Sequence, residues 1–537
     1  MCVPHPSHAG IKTGKSCAVF NLLTEPLMRA VEIDGTAQDL TLPEVFAALA
    51  ADRILRFPAL RPHQAPAWHA FLVQVGAMGA EALEIDRPPG DDPAAWAELL
   101  RALTPDHAGD EPWHLVGPPQ QPAFLQPPVP DGDLSGFATV TAPDALDLLV
   151  TSKNHDLKAS RMTAAAADDW LFALLSLQTQ EGFLGAGNYG IARMNGGFGN
   201  RPYMRLGPKG GGFGVQVLRD QKALIEDRDK IRQKADEFDI GRNGSVGLIW
   251  LEAWDGVASL DLQDLHPLFV EICRRVRLVA EGGRLLARTA SSKAARIDSK
   301  SRNGVLDDPW APVEQSEQPK VLTISAEGFS YRKVTELLFG SDKRTYHLPR
   351  LATLRRTERN GPVLLQLQAL ARGQGKTEGF HCREIEISPS AAARLADDAL
   401  ADRARKRVQQ AGTAEGKVLR QALITLMQKG PSQPSWSKPS NESLVRPALG
   451  RFDQAVDAAF FQDLWASLDQ DEDAATLLWL RFLADLARTA LTEAAKAAPQ
   501  SGQRRIIALA RARNMLEAAL VKQFPQLAHK REDVDAA

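Results

Sequence analysis

The stretch Arg383-Glu384-Ile385-Glu386-Ile387-Ser388-Pro389-Ser390-Ala391-Ala392-Ala393 separates two regions of different character. Before it, short apolar runs such as 321–324 and 363–365 indicate strands among helices. After it, Ala- and Leu-rich patterns with helical spacing cover about 390–430, 450–468, 472–497 and 503–523. We therefore place a domain boundary near Ser388-Pro389.

These patterns define the expected architecture. Four long helices joined by short loops predict an antiparallel four-helix bundle over 389–537. The region 20–388 mixes strands and helices, including a helix expected after Pro267, and residues 1–19 are predicted to be a flexible extension. The predicted fold class is α+β, with a large mixed α/β N-terminal domain followed by the bundle.

The chain as a whole has almost no net charge. Of 537 residues, 44% are hydrophobic and 24% are charged, and 64 basic residues face 66 acidic ones for a net charge of −2. Any affinity for nucleic acid must therefore come from a local patch. The four cysteines form no CxxC pair, no apolar run approaches the roughly 18 residues that span a bilayer, and no signal peptide is recognisable. We expect a cytoplasmic protein without metal, cofactor or membrane partner.

No motif for enzyme chemistry is complete. Gly375-Lys376-Thr377 is similar to the end of a phosphate loop, but Leu370 stands where that loop requires a glycine. The tract 182–214 holds 12 glycines without a GxGxxG between strand and helix. The chain also has only 11 histidines, which form no ligand triplet. The sequence favours a protein that is not an enzyme.

Local positive charge accompanies the glycine-rich loops. Residues 272–302 contain nine Lys or Arg and two acids, a charge of +7. We expect a mobile loop at 291–293 and 298–304, and a loop over 284–302 that contacts phosphates. A phosphate-contacting surface and a solvated linker both fit this charge, since each neutralised phosphate releases a counterion. The candidate phosphate contacts are Arg284, Arg288 and Lys293, together with Lys153, Asn154, Lys158 and Arg161 in a second loop.

The segment 371–379 places three glycines, two cations and Gln374 between two strand-like runs. This arrangement predicts a tight hairpin tip. Glycine allows the backbone to approach a ligand closely, and a glutamine side chain both donates and accepts hydrogen bonds against base edges. An ordinary hairpin turn is the alternative.

Five places in order along the chain resemble the CasA family, the large subunits of the type I-E CRISPR surveillance complex Cascade. They are Phe20–Pro26, Leu148–Asp156, the glycine-rich tract after Leu177, the hairpin tip with Gln374, and Ile507–Ala512. The resemblance spans about 20–527. No single one of these places identifies the family in the way that a metal-site spacing would. The resemblance therefore rests on all five occurring in the family's order.

The resemblance implies a non-catalytic subunit that binds DNA. Such subunits act with other Cascade subunits and guide RNA, recognise the protospacer-adjacent motif (PAM) in double-stranded DNA, help to open the duplex into an R-loop, and recruit the helicase-nuclease. The family's functional positions fall on Gln374 with Gly373 and Gly375 as a wedge, on Gly185, Gly187, Asn188 and Tyr189 as a glycine loop, and on Lys320 as a lysine finger. If Gln374 is the wedge, we expect its neighbours Arg372 and Lys376 to hold adjacent phosphates. Lys320 precedes its strand, whereas the family's lysine follows one.

Two other classes remain open at this point. One is a nucleotide-hydrolysing enzyme that uses Gly375-Lys376-Thr377. Loss of ATP hydrolysis in Lys376→Ala would support this class. The other is a structural scaffold whose basic loops bind RNA or protein. Absence of DNA binding would support this class.

Overall fold

A computed structural model describes residues 20–149, 165–194, 196, 199–373, 376–431, 434–436, 440–498 and 502–528. The chain divides into two compact units. The first comprises Met1–Gly328, His347–Leu354 and Leu365–Glu384, and the second comprises Phe329–Tyr346, Arg355–Leu364 and Ile385–Ala537. The second unit therefore takes in two segments that precede the expected boundary, and the division at Ser388-Pro389 stays a prediction.

The first unit opens with an antiparallel sheet in the order β2-β1-β3. Its strands are β1 (Met28–Glu32), β2 (Ala37–Leu40) and β3 (Ile54–Arg56). Helix α1 (Leu42–Ala50) lies between β2 and β3. It begins after Thr41, whose hydroxyl accepts from the Glu44 amide, while the Glu44 carboxylate accepts from the Thr41 amide.

A helical layer forms most of the core of this unit. Its helices are α2 (Ala65–Ala82), α3 (Pro93–Ala102), α4 (Ala167–Gln180), α5 (Phe213–Glu226) and α6 (Arg228–Asp236). Helix α2 is buried along nearly its whole length and packs against α3, α4 and α5. Trp68 stacks on Phe71 at 5.6 Å and meets Phe172 of α4 edge to face at 5.3 Å.

The remaining strands form small sheets around this layer. They are β4 (Ala138–Val140), β5 (Tyr203–Pro208), β6 (Val246–Leu248), β7 (Leu265–Val270), β8 (Arg275–Glu281), β9 (Arg284–Ala290), β10 (Val313–Gln315), β11 (Lys320–Val321), β12 (Thr345–His347), β13 (Val363–Gly373) and β14 (Lys376–Ile387). One sheet has the order β4-β9-β8, and β13 lies between β14 and β5 in another. β8 and β9 are joined by Gly282 and Gly283, both at positive φ, as a tight two-residue hairpin requires.

The helix expected after Pro267 is wrong, because this segment forms β7. β7 pairs in parallel with β6. The Gln74 side chain of α2 donates to the backbone carbonyls of Leu268 and Phe269 at 3.0 and 2.8 Å. The apolar residues here are buried on both faces of the strand, so their spacing alone does not distinguish it from a buried helix.

Arg277 holds the proline-rich segment 112–131 in place. Its guanidinium, 1% exposed, donates to the backbone carbonyls of Gly117, Pro118, Gln121, Gln126 and Pro127 at 2.8–3.4 Å. Prolines have no N–H, so this segment is poor in donors for its own buried carbonyls. Burial lowers the pKa of Arg277 to about 10, so it is still charged at neutral pH. The segment is thus ordered by an arginine that belongs to a different part of the sequence.

The second unit contains α7 (Tyr331–Phe339) and the helices predicted from the C-terminal patterns. The latter are α8 (Pro389–Ala393), α9 (Asp398–Thr413), α10 (Arg420–Met427), α11 (Ser440–Ala466), α12 (Glu472–Lys496) and α13 (Gly502–Gln523). A π-helical turn, Ala414–Leu419, joins α9 to α10. The long helices pack on one another, with Phe460 of α11 edge to face on Trp479 of α12 at 5.8 Å. The α+β fold class and its helical C-terminal region are confirmed.

Two details of this unit differ from the expectation. Helix α11 begins at Ser440 rather than near 450 and accommodates Pro447 in its interior. Helix α7 packs on α9, and its Arg332 donates to Glu415 of the π-helical turn and to Asp453 of α11 at 2.8 Å each. These ion pairs explain why a segment before β13 belongs to the second unit. Within the described ranges, no helix combines the length and the apolar character that a membrane crossing needs.

Replacing Arg277 with leucine tests its role in ordering the proline-rich segment. The change leaves several buried carbonyls without donors, each of which costs about 1–3 kcal/mol. We expect the free energy of unfolding of the first unit to fall by about 3 kcal/mol or more, and amide exchange over 115–126 to accelerate. Urea unfolding and hydrogen exchange measure both effects. Arg284→Leu, an exposed position on the same hairpin, is the matched control, and an equal effect of both changes would contradict this role.

Candidate nucleic-acid interface

The predicted hairpin is present on both sides of Gln374. Strand β13 ends at Gly373 and β14 begins at Lys376, while Gln374 and Gly375 lie outside the described residues. Gln366 donates to Glu384 at 2.7 Å, and Gln368 lies 3.7 Å from the Cys382 sulfur. As the residue number on β13 rises from 366 to 368, the number of the residue in contact on β14 falls from 384 to 382. The two strands therefore run antiparallel.

The position of Lys376 and Thr377 bears on the enzyme alternative. Both residues open strand β14, whereas a phosphate loop leads into a helix whose N-terminus faces the phosphates. The Thr377 hydroxyl instead donates to the Leu148 carbonyl at 2.7 Å. The phosphate-loop alternative is therefore contradicted by the fold at this place.

Glu181, directly after α4, binds two arginines from distant parts of the sequence. Its carboxylate accepts from Arg372 Nη2 at 2.8 Å and from Arg274 Nη2 at 2.7 Å. All three side chains are less than one-tenth exposed. Burial on its own would lower the pKa of Arg274, but its neighbours, Glu181 among them, raise it above the usual value. The end of β13 and the start of β8 are thereby fixed to the end of α4.

The predicted glycine loop is a compact turn that rests on Arg274. Arg274 donates to the Tyr189 carbonyl and lies 3.5 Å from that of Gly182. Within the turn, the Asn188 amide donates to the Gly185 carbonyl at 3.0 Å. Gly185 and Gly187 have φ values of +124° and +86°, which other residues rarely adopt. The glycines are therefore needed for the shape of the turn.

Lys293 lies next to this turn. The amide of Ser292, its neighbour in sequence, donates to the Gly187 carbonyl at 3.1 Å. A Cβ at Gly187 would come within 3.1 Å of the Ser291 side chain, so the two segments are in close contact. Lys293 is exposed. It is the predicted phosphate contact that the structure places beside the glycine turn.

The chain leads from the hairpin end towards the second predicted basic loop. The Leu148 carbonyl accepts from Thr377 and lies 3.4 Å from Arg372 Nη2. The residues that follow, including Lys153, Asn154, Lys158 and Arg161, lie outside the described residues. The hairpin end, the glycine turn, the segment with Lys293 and the start of this loop thus meet around Glu181.

Other predicted positions have different surroundings. Arg372 is buried against Glu181, which does not suit its predicted phosphate contact. Arg284 and Arg288 lie on β9 rather than in a loop, so that part of the expectation is wrong. Arg288 donates to Glu281 at 2.7 Å, and Lys320, half-exposed on β11, lies 3.9 Å from Glu314.

The +7 charge of 272–302 is therefore not presented by one exposed loop, because three of its nine cations are internal. Arg274, Arg277 and Arg296 are buried. Burial lowers the pKa of Arg296 to about 10 and leaves it charged at neutral pH. Its guanidinium donates to the Glu252 carbonyl at 2.7 Å. A cation count along the sequence does not separate such internal arginines from those that face solvent.

Sequence reasoning missed Glu181. Its role depends on two arginines that lie 93 and 191 residues further along the chain, and a single sequence gives no sign of that pairing. The only local signal is an acid between a helix and a glycine-rich tract. Metal chemistry has no support from the described parts of the chain, where no group of three or more His, Cys, Asp or Glu is placed to hold an ion.

The comparisons with known proteins agree with this architecture. Residues 250–490 match the family model described as CRISPR-associated protein Cse1. The fold matches Thermobifida fusca Cse1 with a TM-score of 0.62 and 17% identity over 95% of this chain and 98% of that one. It matches CasA from Thermus thermophilus with a TM-score of 0.62 and 16% identity over 94% and 100%.

A chain from a structure named as a CRISPR RNA-guided surveillance complex also matches. The TM-score is 0.58 and the identity 14%, over 93% of this chain and 99% of that one. No curated protein matches the sequence. At such identities the likeness establishes the fold, and the family model supports it independently over 250–490. The resemblance to CasA stated from the sequence is confirmed.

Glu181→Gln tests whether this carboxylate organises the site. The change keeps the shape but leaves two buried guanidiniums without a charged partner, so we expect faster amide exchange at 187–189 and 376–380. Hydrogen exchange followed by mass spectrometry measures both segments. Glu317→Gln, at an exposed position, serves as the control. Unchanged exchange in both segments would show that they are held independently of Glu181.

Proposed function

We propose that this chain, which has the fold of Cse1 (CasA) proteins, is the large subunit of an RNA-guided CRISPR surveillance complex. The family model and the near-complete coverage of a chain from a surveillance complex support this proposal. Its partners are then the other Cascade subunits with their guide RNA, and its ligand is double-stranded target DNA. The type I-E assignment and a cytoplasmic location follow from the same resemblance.

The proposal that this chain recognises DNA rests on the convergence of four segments around Glu181. The glycine turn presents backbone with little side-chain bulk, and such backbone can approach a duplex closely. Lys293 beside it is exposed and supplies positive charge for a phosphate. Lys153, Asn154, Lys158 and Arg161 follow the Leu148 anchor and are proposed to contact phosphates as well, together with the exposed Arg284. PAM recognition is proposed for this surface, with Lys320 as an additional contact.

Gln374 is proposed to act as the wedge that opens the first base pair. Separation of a pair and its stack costs a few kcal/mol, and the side chain need offset only part of that cost. The base of the hairpin is anchored by Glu181 and Leu148, so pressure on the tip is resisted by the body of the first unit. Arg372 accordingly supports the hairpin from inside, while Lys376 remains the proposed phosphate contact.

A non-catalytic role fits this assignment. The phosphate-loop candidate begins a strand, and the site around Glu181 is built from structural ion pairs and backbone contacts. Recruitment of the helicase-nuclease after R-loop formation is proposed on the resemblance alone. If the chain were a scaffold that binds only RNA or protein, the glycine turn and Lys293 would have no DNA duplex to contact.

Gln374→Ala in the assembled complex tests the wedge. Strand opening on a linear target should fall more than binding to the PAM, because the wedge acts after recognition. A pre-melted bubble beside the PAM should restore most of the opening, since it supplies the melting energy from elsewhere. Permanganate footprinting on intact and bubbled targets measures opening, and a mobility shift measures PAM binding.

Gln318→Ala is the matched control, since it removes the same side chain from an exposed position between β10 and β11. It should open both targets as the unmodified protein does. Equal defects of Gln374→Ala on intact and bubbled DNA would rule out the wedge. Loss of PAM binding to the same extent would assign Gln374 to recognition instead.

A further inference from the structure

Asp147 is a second buried carboxylate close to the base of the β13–β14 hairpin. Its two oxygens accept four hydrogen bonds at 2.6–3.2 Å, from the side chains of Arg61, His63 and Gln64 and from the backbone amide of Leu149. A carboxylate offers about four lone-pair sites, so its hydrogen-bonding capacity is filled. We call Asp147 and its three side-chain donors the Asp147 cluster. It fixes the turn before α2 to the chain at Leu149.

The ionised state of Asp147 determines what His63 does in this cluster. Burial on its own would raise the pKa of Asp147, but the hydrogen bond from His63 and the other donors hold it below the usual value. An ionised carboxylate only accepts hydrogen bonds, so His63 Nε2 carries a proton and donates it at 2.8 Å. Both side chains are at most 2% exposed, and a hydrogen bond away from water is stronger than one in solvent.

The Asp147 cluster contacts strand β14 in two places. The rings of His63 and Phe380 meet edge to face with 6.5 Å between their centres, an arrangement that aromatic rings favour. The carbonyl of Leu148, the residue after Asp147, accepts from the Thr377 hydroxyl at 2.7 Å. Both contacts lie within the first five residues of β14, next to the tip of the hairpin.

The cluster is also joined to the end of α4. Gln180, the last residue of α4 and 2% exposed, donates from its side chain to the His63 backbone carbonyl at 3.3 Å. The next residue is Glu181, which holds the end of β13 through Arg372. One strand of the hairpin is therefore fixed by Glu181 and the other by the Asp147 cluster, and both are fixed to one helix end. A hairpin held on a single strand could pivot under load, whereas one held on both strands keeps its direction.

We propose that His63 and Asp147 are positioning residues for strand opening, because they set the direction in which the tip of the hairpin meets the duplex. Both are buried, so they act through β14 and do not touch DNA. The inference rests on the proposed role of Gln374 as the wedge. It adds that the wedge depends on a histidine–carboxylate pair beneath β14 as well as on the Arg372–Glu181 pair beneath β13.

Replacement of His63 in the assembled complex tests this inference. His63→Leu removes the donor to Asp147, whereas the side-chain amide of His63→Gln reaches about as far as Nε2 and still donates. On intact DNA, His63→Leu should slow strand opening by about threefold to tenfold, below the roughly hundredfold that a misplacement of about 1 Å costs at a catalytic centre. PAM binding should be unchanged, and His63→Gln should recover most of the opening. Permanganate footprinting and a mobility shift measure the two steps.

Three comparisons separate positioning from a general loss of stability. His347→Leu, at an exposed histidine of β12, is the matched control and should open DNA as the unmodified protein does. A pre-melted bubble beside the PAM should remove the defect of His63→Leu. Amide exchange should accelerate at 376–380 and stay unchanged at 187–189, which Arg274 supports. If thermal unfolding shows that His63→Leu does not fold, Asp147→Asn, which keeps the shape of its side chain and loses the charge, takes its place with the same expected results.

A double variant distinguishes failure of this inference from failure of the wedge. If His63 acts through the tip, His63→Leu should add nothing to the opening defect of Gln374→Ala. Additive defects, or normal opening by His63→Leu beside a defective Gln374→Ala, would overturn the inference and leave the wedge in place. Normal opening by Gln374→Ala would contradict the wedge, and this inference with it. An equal defect of His63→Leu on intact and bubbled DNA would also overturn the inference, since it would show a loss unrelated to opening.

Discussion

The carboxylate of Glu181 is the contact on which the proposed DNA-binding surface depends. It binds Arg274 and Arg372, and through them it fixes the start of β8 and the end of β13 to the end of α4. Arg274 in turn supports the glycine turn, and the hairpin end contacts Leu148. A buried acid between two buried arginines is sensitive to the loss of any member, since an unpaired buried charge costs several kcal/mol. Three segments far apart in sequence therefore share one geometry.

Buried cations serve the same purpose elsewhere in the first unit. Arg277 supplies donors to a proline-rich segment that lacks them, and Arg201 pairs with Asp308 through two hydrogen bonds of 2.7 and 2.8 Å. Asp220 joins α5 to α2 and β5 through His69 and Arg205. Connections of this kind explain how a unit with small sheets and long irregular segments keeps loops in fixed positions. Arg277 is also one of the nine cations that the sequence shows over 272–302.

Local sequence patterns correctly predicted those helices and strands whose formation depends on residues close together in the sequence. The strands on both sides of Gln374 and the C-terminal helices follow from short-range spacing. The segment after Pro267 was predicted wrongly, because a strand buried on both faces has no alternation, and its pairing with β6 depends on residues far away. The basic stretch 284–302 was predicted as a loop because charge does not show that β9 pairs with β8. The role of Glu181 depends on long-range contacts with Arg274 and Arg372, which no single-sequence pattern reveals.

The tip of the β13–β14 hairpin is proposed to meet the duplex beside the PAM. Incorporation of a photo-crosslinking amino acid at position 374, in the complex assembled with guide RNA and a PAM-containing duplex, measures this directly. We expect crosslinks confined to the one or two base pairs next to the PAM, and no crosslink when the same amino acid replaces Glu317. Crosslinks to protein only, or spread evenly along the DNA, would contradict it.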